Sequence, residues 1–546
     1  MLRALRLGVV CCVAVAGLAE AGAQAAQKGA GAKASGGEAR ASRAFEEAKK
    51  SPLALHAFLE RMPKGADLHM HLSGAVYAET LLRDAQEDLL CVNPAELAFV
   101  KNVGTTRSLP PEPVCPQGAI PAATAFKDQK LYDALVDSFS MRSFVPSSGV
   151  SGHDQFFATF ARFGGVNKEH AGEWLDEVAS RAAAQNEQYL EIMQTPSFSN
   201  AARLGAEMGW PGDDGGTTPI SGTTPAELGK LRERLLADGL GDEVAVDRKE
   251  LDEALASRRR IEHCGQPDAA AACAVKIRFL YQVLRANAPQ QVFAQTLLGF
   301  EVAAADPDVV GINFVQPEDA YLAMREYRRQ MRMLDYLHSV YPQVHISLHA
   351  GELAPGMVPP DGLRFHIREA IDVGHAERIG HGVDVMYEDE PKELLREMAD
   401  RHVMVEINLT SNDGILGVTG AMHPLPSYLA AHVPVALSTD DEGVSRIDLT
   451  NEYTRAALEF NLGYAELKEM ALTGMEHSFL PGASLWKRPG QHSEVVAACA
   501  GSRSGGNQLG ADDPAAACAA FLKANQKAAE EWQLEHRFVV FESSLP

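Results

Sequence analysis

The sequence predicts an α/β protein, a (β/α)8 TIM barrel with insertions in its βα connections and a helical C-terminal extension. Three observations predict it. From residue 44 onward, short apolar runs alternate with longer stretches of helical periodicity, the pattern of parallel strands joined by crossover helices. Eight such runs occur, at 65–70, 188–194, 275–280, 309–314, 344–348, 376–380, 403–407 and 434–438, and eight parallel strands point to a closed barrel. Chemically capable residues follow the first, fifth, sixth and eighth runs, at the C-terminal strand ends where barrels carry their active sites.

Residues 1–23 read as a secretory signal. Arg3 and Arg6 precede an apolar run at 7–19, and Ala21-Gly22-Ala23 offers a cleavage site near Ala23. The run is shorter than the roughly 20 residues a membrane helix needs. The mature protein is therefore expected in the periplasm or secreted, with no membrane partner. Residues 24–43, rich in Ala, Gly, Lys and Ser, read as a flexible linker. The barrel is expected over 44–485, with helices at 173–186, 320–339 and 391–400. Stretches 84–140 and 201–274 break the alternation with Pro and Gly clusters and read as insertions. Within the extension, 486–546, residues 514–533 look helical and 538–541 form an apolar end, and the whole is expected to pack on the barrel.

Two compositional facts narrow the function. The net charge of −23 repels phosphate backbones and anionic lipid, so a small neutral or cationic substrate is favoured over nucleic acid. Oligomeric state is left open, a homodimer included. Outside the signal, the cysteines fall in neighbouring pairs, Cys91 with Cys115, Cys264 with Cys273 and Cys499 with Cys518. In an exported chain these suggest disulfides, with local pairing a guess from proximity and buried thiols the alternative.

The chemistry is carried by four short motifs. Asp67-Leu68-His69-Met70-His71 ends the first run, and side chains two apart on a strand share a face, so His69 and His71 can turn toward one ion. His349-Ala350-Gly351-Glu352 adds a third imidazole and a carboxyl after a turn. Gly380-His381-Gly382 offers a base between glycines that permit close backbone approach. Ser438-Thr439-Asp440-Asp441 supplies two adjacent carboxylates, which by themselves also suit a helix N-terminus. Three His and one Asp make a zinc site for one ion per chain with a position left for water. Phe156, Phe157 and Phe160 would form an apolar lid over the pocket or, equally, a helix core.

The set resembles the adenosine deaminase family, nearest its secreted growth-factor-related branch. The resemblance rests on Met62 to Leu72, His349 to Glu352, Arg378 to Gly382, Ser438 to Asp441 and the closing Ser478-Phe479-Leu480-Pro481. It implies zinc held by His69, His71, His349 and Asp440, and Glu352 as the acid toward purine N1. It also implies that His381 deprotonates or orients the attacking water and that Asp441 bonds purine N7. The implied reaction is hydrolytic deamination of adenosine to inosine and ammonia. Two departures bear on the substrate. Ser73 stands where the family has an Asp on the ribose side, and Gln316 stands where it has a Gly whose backbone meets N3. Adenine, 2′-deoxyadenosine and 5′-modified nucleosides such as methylthioadenosine are therefore alternative substrates. A non-catalytic nucleoside-binding protein is the alternative from another class.

Overall fold

The computed structural model describes residues 36–147, 149–211, 223–502 and 514–546. The expected signal and the first part of the expected linker lie outside these residues. Eight parallel strands form the sheet: β1 Gly65–His71, β2 Glu187–Gln194, β3 Lys276–Leu284, β4 Val309–Val315, β5 His345–Ala350, β6 Arg378–His381, β7 Met404–Ile407 and β8 Val435–Leu437. They pair in chain order, each with the next. Just past β8 the sheet returns to β1. Asp440 N–H donates to His69 O at 2.8 Å and His71 N–H donates to Asp440 O at 3.0 Å. The barrel closes there.

Every residue of β1 and β4 is buried, as expected of strands covered on both faces. Alternation still sorts them: Asp67, His69 and His71 turn inward, while Leu68 and Met70 pack toward the surrounding helices. The expected helices appear at Ala171–Ala184, Tyr321–Val340 and Pro391–Asp400.

The N-terminal end of the barrel is stoppered. The helix Gln526–Ser544 lies across it, with Gln188 Nε2 donating to Glu530 O at 2.9 Å and Lys276 paired with Glu530 at 2.7 Å. Gly65, at φ +70°, leaves space that Leu534 fills; a Cβ there would sit 2.9 Å from the leucine. Beside this stopper Lys64 is buried, its ammonium donating to the carbonyls of Leu59, Met62 and Gln185 at 2.6, 3.2 and 2.6 Å. It ties two helix ends to the start of β1.

Two expectations need correction. Of the expected linker at 24–43, residues 36–43 are helical, part of a helix Gly36–Ala48 in which Ala41 and Phe45 are buried and Arg40 Nε donates to Glu542 O at 3.0 Å. That partner is five hundred residues away in sequence, so composition alone reads as a tether. The C-terminal helix is also not confined to 514–533. It is two helices, Ala516–Ala524 and Gln526–Ser544, and the apolar end belongs to the second. Extended Asn525 breaks them, its side chain bonding Phe521 O and Ala483 N instead of continuing the helix.

The first insertion holds a three-stranded antiparallel sheet of Cys91–Asn93, Ala98–Val100 and Ile120–Pro121. The second contributes Leu240–Ile261, which approaches the Ala171–Ala184 helix where Gly172 has no side chain; a Cβ there would lie 2.4 Å from Ser257. Disulfides join Cys91 to Cys115, Cys264 to Cys273 and Cys499 to Cys518.

After β8 the chain is held to the barrel by His492, which pairs with Glu469 at 2.8 Å and Glu476 at 3.1 Å. Burial would lower its pKa, but the two carboxylates override this and raise it to about 10 from 6.5. A raised pKa means the folded state keeps a proton that the unfolded chain loses. The pair's contribution is complete below pH 6.5 and is lost as pH rises toward 10. In denaturant titrations the stability gap between wild type and His492→Gln should therefore shrink over that interval. A gap independent of pH would contradict this account.

Candidate metal centre and active-site cavity

Four side chains from three strand ends, His69 and His71 of β1, His349 of β5 and Asp440 just past β8, meet at the C-terminal face. His69 Nε2 lies 3.1 Å from His349 Nε2, and His71 Nε2 lies 3.2 Å from it. Asp440 Oδ1 is 3.5 Å from His69 Nε2 and 3.2 Å from His71 Nε2. A tetrahedral zinc with ligands at about 2.0–2.2 Å spaces its ligand atoms about 3.3–3.6 Å apart. The four expected ligands thus have the separation of a single coordination sphere.

The other ring nitrogens show which way the protons point. His69 Nδ1 faces Glu406 Oε2 at 2.6 Å, His71 Nδ1 faces Gln282 Oε1 at 2.7 Å, and His349 Nδ1 faces Asn313 Oδ1 at 2.8 Å. Asn313 Oδ1 also accepts from His349 N–H, and Gln282 Nε2 donates to Thr195, so both amides are oriented. Each Nδ1 therefore carries a proton and donates it, leaving three Nε2 lone pairs directed at one point beside a carboxylate oxygen. Lone pairs so close together repel unless a cation sits among them. The donor set fits zinc.

Protonation and the ion compete for this field. Burial disfavours a charged His69, yet hydrogen bonds to Asp440 and Glu406 raise its pKa to about 10 from 6.5. His349 is pushed well below 6.5 by burial and by the neighbouring rings. Cation binding would displace the shared proton and strengthen as pH rises.

Beside the ligands stand the remaining motif residues. Glu352 Oε1 lies 3.7 Å from His381 Nε2, and both are buried. Burial and the charges of Asp440 and Glu318 push the Glu352 carboxyl well above its usual range. Glu318 grips the turn beneath it, accepting from Gly351 N–H at 3.1 Å and Glu352 N–H at 2.8 Å. Although burial works the other way, His366 at 2.5 Å keeps the Glu318 carboxyl ionised. Asp441, raised to about 8 by burial and by Asp440, sits over Gly74, where a Cβ would lie 1.5 Å from its Oδ1.

Glu352 and Asp441 open into a cavity of about 400 Å³. Ser73, Phe156, Phe157, Phe160, Gln316 and Asp441 all line it with His71, His349, Asp440 and Glu352. The phenyl rings belong to the helix Gly152–Phe163, and Phe156 is also part of the core, so the two readings of these rings hold together. Gln316 adopts φ +83°, a conformation that favours glycine, and its Oε1 is turned to accept from Ala286 N–H at 2.8 Å. Gln282, Asn313, Glu318, Glu406 and Ser411, whose hydroxyl donates to Asp440 Oδ2 at 2.6 Å, were not visible as site residues in the sequence. Two of them carry the one available signal: Asn313 and Glu406 are polar residues inside otherwise apolar strand runs.

The adenosine deaminase family model matches residues 260–486, a stretch that includes His349, Glu352, His381, Asp440 and Asp441. Residues 260–486 belong to the adenosine deaminase family. Adenosine deaminase from Escherichia coli (strain SE11) is 36% identical over 137 residues, 25% of this chain and 38% of that protein. The chain thus spans well under half of that relative's length. Among solved structures, an N6-methyl-AMP deaminase from Arabidopsis thaliana aligns over 78% of this chain and 94% of its own, at 19% identity and TM-score 0.49. An adenine deaminase from Arthrobacter aurescens aligns over 77% and 94%, at 16% identity and TM-score 0.47. His69, His71 and Ser73 lie outside the family match, and only the closed barrel places them with the rest.

If Asn313 orients His349 as described, Asn313→Leu should weaken zinc affinity roughly ten- to a hundredfold, the usual effect of losing such a partner. Competition with a chromophoric chelator measures this, with circular dichroism confirming the fold. Unchanged affinity in a folded variant would remove Asn313 from the metal site.

Proposed function

We propose that this protein is a zinc-dependent hydrolase that deaminates adenosine to inosine and ammonia. The observation that carries the reading is the convergence of three Nε2 lone pairs and the Asp440 carboxylate beside the buried Glu352 carboxyl at one cavity. His69, His71, His349 and Asp440 would hold the ion. When bound, zinc supplies a Lewis acid that brings the pKa of a water toward neutrality.

The chain's own residues would do the rest. Glu352 protonates purine N1, which draws electrons from the ring and opens C6 to attack by water. The oxygen of that water becomes the 6-oxo group, and the amino group leaves as ammonia. His381 faces the attacking water. Asp441, with its pKa near 8, still carries a proton at neutral pH and can donate it to N7. Gln316, with its side chain turned aside, leaves its backbone N–H for N3. Ser73 sits on the ribose side, and Phe156 and Phe157 cover the ring.

None of the described residues lining the cavity is Lys or Arg, which favours a neutral purine over a phosphorylated one. The phenyl wall and Ser73 also suit a purine with an apolar 5′ group, so methylthioadenosine is the second reading. Adenine and 2′-deoxyadenosine belong in the same comparison. Kinship with the growth-factor-related branch rests on the motifs, and export rests on the segment at 1–23 together with the three disulfides.

Loss of ultraviolet absorbance on mixing zinc-loaded protein with each of these purines tests the function. Adenosine or its 5′-modified analogue should be consumed, and AMP should not. Glu352→Gln should lower kcat by roughly 10²–10⁴ with zinc content unchanged. No turnover of any of these purines by protein holding one zinc would refute the deaminase reading.

A further inference from the structure

An imidazole beside a reacting water can act in two opposite ways: an exposed lone pair takes the water's proton, whereas an N–H holds its oxygen. Hydrogen bonds running away from the cavity decide this for His381. They start from a group with no choice, since Leu425 N–H donates to His423 Nδ1 at 3.1 Å. A ring nitrogen that accepts carries no proton, so neutral His423 must be protonated on Nε2. Burial keeps the ring neutral, with its pKa lowered to about 4 from 6.5.

The direction then propagates. His423 Nε2–H donates to Asn412 Oδ1 at 3.0 Å, which fixes the orientation of that amide. Asn412 Nδ2 consequently faces His381 Nδ1, at 2.9 Å. An amide nitrogen only donates. Asn408 Nδ2 lies at 3.4 Å from the same Nδ1 and donates to it as well. His381 Nδ1 must accept, and the proton of its neutral ring lies on Nε2. That nitrogen is buried without a hydrogen-bond partner among the described residues, 3.7 Å from Glu352 Oε1.

We propose that His423 and Asn412 are positioning residues that lock His381 as its Nε2–H tautomer, so that it donates to the attacking oxygen and does not take its proton. The role toward the attacking oxygen rests on the deaminase reading, while the lock is a property of the fold. Neither residue touches the cavity; both act through one ring.

Tautomers are read directly from two-bond ¹H–¹⁵N couplings in ¹⁵N-histidine-labelled, zinc-loaded, full-length protein, with the His381 signal assigned by its loss in His381→Asn. Wild type should show Nε2–H. Asn412→Asp replaces the donor with a carboxylate that still accepts from His423, so the His381 proton should move to Nδ1. His423→Gln can accept from Leu425 and donate to Asn412, and should keep the Nε2–H signal. His423→Leu should lose the single-tautomer pattern. For turnover, Asn412→Asp should lower kcat by roughly 10²-fold with KM within about twofold. An Nδ1–H signal in wild type, or an Nε2–H signal that survives Asn412→Asp in a folded protein, overturns the lock. A locked tautomer in a protein without turnover would instead count against the deaminase reading.

Discussion

Two backbone hydrogen bonds between β1 and Asp440 close the barrel, and the site depends on them. They draw the last strand end against the first, and in doing so set Asp440 beside His69 and His71. Asp440 makes this turn at φ +64°, a conformation that costs a non-glycine residue about 1–3 kcal/mol. That cost is offset because both its backbone groups and its carboxylate are engaged. Fold closure and ligand assembly are one event. Neither β1 nor the β8 end has a metal site by itself.

Charge is organised around the same seam. Glu406 divides its carboxylate between His69 Nδ1 and the Arg378 guanidinium, which also pairs with Glu191 at 2.7 Å. All four groups are buried, and an unpaired charge at that depth would cost several kcal/mol. The network thus holds one ring upright from below while Gln282 and Asn313 hold the other two. Rigid partners on strands keep the three lone pairs convergent, and the loops above carry the parts that meet a substrate.

The opposite end of the barrel has the complementary task. Lys64, Glu530 and Leu534 seal it with a buried ammonium, an ion pair and an apolar plug, so that solvent reaches the interior from the site face. The sealing helix comes from the end of the chain and is braced by the first described helix through Arg40 and Glu542.

The sequence by itself determined the barrel and the chemical cast. Parallel strands buried on both faces leave continuous apolar runs, and each of the eight could be read within a few residues of its place. His69, His71, His349, Glu352, His381, Asp440 and Asp441 stood out because scarce, reactive side chains recurred at strand ends. What tertiary structure alone decided is which neutral or distant groups serve them. Gln282, Asn313, Ser411 and Asn412 have no spacing that marks them, because a hydrogen bond across a barrel has no fixed separation in sequence. The helix at Gly36–Ala48 was missed for the same reason: its stability comes from burying Ala41 and Phe45 against a chain end that local composition does not register.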